Sequence, residues 1–169
     1  NYNSEADFDN GSCDYSCYEN GDYSLSFDGI DDYISCQNNL SGEYSAITIE
    51  ARVNISEYPS DYGKIVDIGN QNNDRLTFQT TYQNGIDYGI EENNAGIDGM
   101  AQYYEADHIL QKYIDIVAVW DGTSHISLYI DGNLVSTNDI PPTLSSLFIE
   151  PSSLFMIGSR FTVENHFNG

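Results

Sequence analysis

YSLSFDGIDDYIS, residues 23–35, is the stretch from which the rest of the chain can be read. Leu25 and Phe27 alternate with Ser24, Ser26 and Asp28, the period of two expected of a strand with one buried face. Gly29 frees the backbone to turn, and Tyr33 and Ile34 open a second run, so the stretch predicts a β-hairpin. Asp28, Asp31 and Asp32 crowd its tip. Carboxylates this close repel one another unless a cation neutralises them, which makes them candidate calcium ligands. Adjacent Asp31 and Asp32 point oppositely in an extended strand, so both can ligate only if the turn bends there. A solvated acidic turn is the alternative.

Three later stretches show the same kind of pattern. In AITIEARVNI (residues 46–55), Ile47, Ile49, Ala51, Val53 and Ile55 share one face. Thr48, Glu50, Arg52 and Asn54 share the other, as in a long strand between a core and a solvated sheet surface. DIVAVWDGTSHISLYIDGNLV (residues 115–135) holds two runs joined at Asp121-Gly122, and a second Asp-Gly pair follows at Asp131-Gly132, both strong turn signals. Asp121 and Asp131 are turn residues on this reading, and Trp120 shares a core face with Ile114, Ile116 and Ala118. FMIGSR and FNG close the series between residues 155 and 169.

Together these four stretches, in this order, resemble bacterial laminin-G-like domains of the concanavalin A-like lectin/glucanase superfamily. The resemblance implies an all-β fold, a two-sheet antiparallel jelly-roll sandwich, over residues 21–169. It also implies a further strand after the region matching FNG, lying beside the opening strand. The chain stops at Gly169, so the expectation is either a fragment or an open position beside residues 23–27 that another strand fills. Residues 1–20 differ in kind. NYNSEADFDNGSC lacks periodicity and resembles the end of a cysteine-bearing repeat, with a DDGSC-like motif, found between domains of secreted bacterial proteins. Its Asp7-x-Asp9-x-Gly11 spacing also suits a calcium loop, though the distal acidic ligand of a full EF-hand is missing. If such repeats pair their own cysteines, Cys13 takes a partner upstream, which leaves Cys17 and Cys36 as the expected disulfide. Hairpin pairing would set Cys36 opposite Tyr23.

Charge and composition narrow the function classes. Against 27 Asp and Glu stand 5 Lys and Arg, a net charge of −22 over 169 residues. Such a surface repels nucleic acid and anionic membranes, and its self-repulsion is relieved by bound calcium. No apolar run approaches the ~20 residues that a membrane-spanning helix needs. Three cysteines in an acidic, Tyr- and Asn-rich chain point to a secreted or cell-surface protein whose signal peptide is absent or already removed. None of the cysteines or histidines stands at zinc-ligand spacing.

Binding residues are sought in the irregular parts. The tip GNQNNDR (residues 69–75) offers Asn73 and Asp74, side chains that hydrogen-bond sugar hydroxyls or simply build a turn. Residues 82–107 read as a long Tyr-rich loop, in which Tyr88, Tyr103 and Tyr104 present flat faces suited to stacking on a sugar ring. Glu50 and Arg52 are either a ligand pair or cross-strand partners. Laminarinase-type relatives carry two Glu and an Asp at alternate positions of one strand, and no strand here has that triplet; adjacent Glu91 and Glu92 point to opposite faces. The reading is a non-catalytic carbohydrate-binding or adhesive module, calcium-stabilised, that takes an extracellular polysaccharide or glycoprotein. The alternative is a structural or protein-interaction module that meets a neighbouring domain or subunit.

Overall fold

The alternating run near residue 50 becomes β3 (Ile47–Asn54), which lies antiparallel to β8 (Tyr113–Trp120) in a computed structural model. That structure describes residues 24–36, 40–70, 74–91, 97–104, 106–140, 144, 146–160 and 162–169. β8 continues into β9 (His125–Ile130) and β10 (Asn133–Asp139), giving a four-stranded sheet in the order β10-β9-β8-β3. Facing it is a six-stranded sheet, β1-β12-β4-β5-β6-β7, built from β1 (Ile34–Cys36), β4 (Tyr62–Gly69), β5 (Arg75–Thr81), β6 (Gly85–Glu91), β7 (Ile97–Tyr103) and β12 (Leu154–Ile157). β2 (Gly42–Tyr44) and β11 (Leu147–Ile149) form a small third sheet. Every pairing is antiparallel. Among the described residues one 3-10 turn, Ala106–Ile109, interrupts the strands, and no helix is long and apolar enough to cross a membrane.

The core lies between the two large sheets. Ile114, Ile116, Ala118 and Trp120 of β8 meet Leu76 and Phe78 of β5 and Ile86, Tyr88 and Ile90 of β6 in one buried cluster. On the four-stranded sheet the opposite face is solvated, as the alternation predicts. Arg52 pairs there with Asp115 at 3.5 Å and lies over the Tyr113 ring, so the cross-strand role is the one it fills. The turn assignments also hold. Asp131 adopts φ 48° and its Oδ1 accepts a hydrogen bond from Asp115 N. Asp121 Oδ1 accepts from Thr123, Ser124 and His125 backbone N–H groups, which hold its carboxyl well below the usual range.

The opening stretch corrects the hairpin expectation. Its two arms do not pair with each other: β1 pairs with β12, and Phe27 exchanges backbone hydrogen bonds of 2.8 and 3.0 Å with Gly169. Alternation shows that a segment is extended but carries no information on which edge it joins. Leu25 is exposed, whereas Phe27 is buried in the core, edge-on to Phe167, and Ile34 packs against the core partly buried. Residues 168–169 thus lie beside Phe27 and Asp28, and Asn168 O also accepts from Ser56 N at 3.1 Å. Cys36 sits opposite Phe155, away from the register expected for it, and carries a free, half-buried thiol. The disulfide expected between Cys17 and Cys36 is therefore not formed at Cys36; Cys13 and Cys17 themselves lie outside the described residues.

Candidate functional site

Strands β4, β5 and β6 are buried on both faces, although only one face of each is apolar. Leu76, Phe78 and Thr80 alternate with Thr77, Gln79 and Thr81; Ile86, Tyr88 and Ile90 alternate with Asp87 and Gly89. The polar set points away from the core, yet Lys64 is 5% exposed, Gln79 3% and Asp87 3%. A flat sheet would leave such side chains in water. Here the face is recessed into a cavity of about 490 Å³.

Across its floor runs a row set by strand register: Lys64 opposite Gln79, Gln79 opposite Asp87, Asp87 opposite Gln102. A β-bulge between Lys64 and Val66 lets Lys64 and Asp67, three residues apart, point to the same side. Lys64 Nζ donates to Thr77 Oγ1 at 2.9 Å and to Gln79 Oε1, and it stands 5.5 Å from the Tyr62 ring centre. Burial pulls the Lys64 ammonium down to about 7, and the carboxylates of Asp67 and Asp87 only partly oppose this. Asp87 is pushed up to about 6, again by burial, against the amides of Gln102 and Gln79 and the Lys64 charge. Its Oδ2 accepts from Gln102 Nε2 at 3.5 Å, and its Oδ1 has no hydrogen-bond partner. Arg75, by contrast, is neutralised: its guanidinium donates to Asp67 Oδ1 at 2.9 and 3.0 Å and reaches Glu91 at 3.8 Å. Tyr62, Tyr82 and Tyr104 line the cavity, with Tyr82 edge-on to Tyr62 and well exposed.

Of the residues expected to bind ligand, only Tyr104 lines this cavity. The Tyr-rich loop expected over residues 82–107 is largely strand, β6 and β7. Tyr88 is fully buried in the core with its ring edge-on to Phe78, so it has no face to offer a sugar. The period of two in IDYGI would have indicated this. Tyr103 packs against the core rim and meets His108 edge-on. Asp74 is buried and its Oδ2 accepts from Phe148 N at 2.6 Å, a bond that ties the β5 entrance to β11. Asn73 lies outside the described residues. Lys64, Gln79, Asp87 and Gln102 went unnoticed because ordinary strand alternation does not show whether a polar face is recessed.

The acidic turn bends enough to gather all three of its carboxylates. Asp28, Asp31 and Asp32 each place an oxygen within 4.8 Å of the others. Asp28 Oδ1 accepts from Ile30 N at 2.7 Å and Asp31 N at 3.4 Å, while Asp32 Oδ2 accepts from Asp28 N at 3.0 Å. Gly29 at φ 78° permits that loop. An all-oxygen set with spare lone pairs fits a hard cation such as calcium, which needs more ligands than three carboxylates supply. Asp7 and Asp9 lie outside the described residues.

A laminin-G-type sandwich with a recessed polar face and an acidic turn is the class this architecture defines. The chain belongs to the concanavalin A-like lectin/glucanases superfamily, whose laminin G family profile matches residues 28–169. Comparison with curated protein sequences gives no match. Among solved structures, it is similar to domains LG4-5 of the mouse laminin alpha1 chain, at 14% identity and TM-score 0.60, covering 85% of this chain and 38% of that one. It is also similar to the botulinum neurotoxin serotype D ligand binding domain in complex with N-acetylneuraminic acid, at 13% identity and TM-score 0.57, covering 75% of this chain and 31% of that one. A third is the Ruminococcus gnavus IT-sialidase CBM40 bound to α2,3 sialyllactose, at 12% identity and TM-score 0.52, covering 72% and 70%. The chain thus spans about a third of the length of the first two.

Proposed function

We propose that this chain is a non-catalytic carbohydrate-binding module of a secreted or cell-surface protein, and that it binds an extracellular polysaccharide or glycoprotein on the recessed face of the six-stranded sheet. The observation that supports this is the pairing of a hydrogen-bonding floor with a tyrosine rim. Lys64, Gln79, Asp87 and Gln102 offer donors and acceptors below Tyr62, Tyr82 and Tyr104. Sugar rings need both, hydroxyl partners at their edges and a flat apolar surface against their C–H faces. Two of the similar structures hold sialylated ligands, which agrees with a glycan-binding use of the fold. Calcium at Asp28, Asp31 and Asp32 would brace the loop that carries Phe27 into the core. It would also offset part of the net charge of −22.

The test is retention on immobilised polysaccharides. Wild type should be retained on at least one, and Tyr82→Ala and Tyr104→Ala should each weaken retention with the fold intact. No retention on any polysaccharide or glycoprotein would overturn the reading. A protein-interaction role is the second reading, supported by the outer edge of β3, along which no described strand pairs. Self-association without glycan binding would favour it.

A further inference from the structure

Lys64 and Asp87 are two charged groups on the cavity floor that keep bonding capacity open. Lys64 is 5% exposed, and its ammonium is bonded only to the neutral acceptors of Thr77 and Gln79. Among the described residues no carboxylate comes within ion-pair distance of it, so the ammonium keeps one N–H unassigned. Asp87 is 3% exposed and its Oδ1 is buried without a donor. Both side chains line the same cavity, on one cross-strand row with Gln79 between them. A buried donor and a buried acceptor left open on one row of the same cavity call for a ligand that offers both an acceptor and a donor.

Resting on the carbohydrate reading, we infer that this site selects a neutral sugar whose adjacent ring hydroxyls bridge the Lys64 ammonium and the Asp87 carboxylate. One hydroxyl accepts from Nζ and its neighbour donates to Oδ1, which completes both groups. An anionic sugar meets a poorer match. Its carboxylate would satisfy Lys64 but lie beside the open oxygen of Asp87, with nothing to donate to it. The rest of the face supplies no surplus positive charge: Arg75 is matched by Asp67 and Glu91, and Asp61, Asp87 and Glu91 line the cavity against Lys64, Arg75 and Arg160. Polar floors built this way discriminate strongly, because a ligand lacking the right group leaves buried charges unpaired. The selectivity therefore departs from that of the sialylated complexes on the same fold.

The experiment is titration calorimetry and affinity electrophoresis of the full chain. The neutral probes are gluco-, galacto-, manno- and xylo-oligosaccharides; the anionic ones are sialyllactose and oligogalacturonate. We expect at least one neutral probe to bind at least tenfold more tightly than either anionic one. Lys64→Met and Asp87→Asn should each weaken that binding tenfold or more. Periodate cleavage of the probe's vicinal diols should abolish it, a readout independent of whether either variant folds. Preference for an anionic probe, or neutral binding unchanged in both variants or after periodate, would overturn the inference and leave the carbohydrate reading standing. Binding to no probe would remove both.

Discussion

Phe27 and Gly169 exchange two backbone hydrogen bonds, so the segment entering the sandwich and the segment leaving it lie side by side. Phe27 rests edge-on to Phe167, at 6.2 Å between ring centres, and directly against Gly158, where even a Cβ would come within 2.4 Å of the Phe27 ring. Gly158 also adopts φ 85°, so position and space both require glycine there. Phe167→Ala, at a buried site, should destabilise the domain by about 3–4 kcal/mol. Urea unfolding with an unchanged m-value would measure it, and a loss under about 1 kcal/mol would show that this junction does not hold the fold together.

Tyr88 and Tyr104 should separate stability from binding. Tyr88→Ala empties a fully buried site and should lower stability by about 3–5 kcal/mol. Tyr104→Ala removes a partly exposed ring at the cavity and should change stability by under about 1 kcal/mol while weakening glycan retention. The reverse pattern in thermal melts and retention would place the site elsewhere.

Lys64 should make stability depend on pH in a defined direction. Its folded value of about 7 lies below the ordinary value of about 10.4. Below pH 7 both folded and unfolded chains hold the proton, so the full penalty of the buried charge stands. Between these values the unfolded chain binds a proton that the folded chain lacks, and stability rises with pH. Lys64→Met should therefore be more stable than wild type near pH 6, by roughly 1–3 kcal/mol. The gap should close toward pH 10. A gap that is constant between pH 6 and pH 10 would mean that the ammonium is solvated. If the variant also binds sugar less well, the residue lowers stability in exchange for recognition.

Calcium should act at the acidic turn. At ten times its Kd it adds about 1.4 kcal/mol, a rise of about 3–5 °C for a domain of this size. Asp28→Ala should lose that rise in a melt with and without millimolar calcium. An equal shift in both proteins would assign the cation to a different site.

Much of the architecture was legible in the chain itself. Residues 46–55 and 113–135 alternate with a period of two and are punctuated by Asp-Gly, because a strand between core and water must alternate and a tight turn needs those residues. Trp120 was readable as core for the same reason, and Asp121 and Asp131 as turn residues. The acidic cluster was visible too, since proximity in sequence forced the three carboxylates together. Partnership was different. Which edge Ile34–Cys36 joins, and that Phe27 meets Gly169, depend on contacts between residues more than a hundred positions apart, and local pattern is blind to those. The candidate site belongs to this second kind. Lys64, Gln79, Asp87 and Gln102 come from four strands and are aligned by register and by one bulge. Only the tertiary structure decided that their face would be recessed, because curvature is a property of the assembled sheet, and with it the burial that leaves Lys64 and Asp87 short of partners.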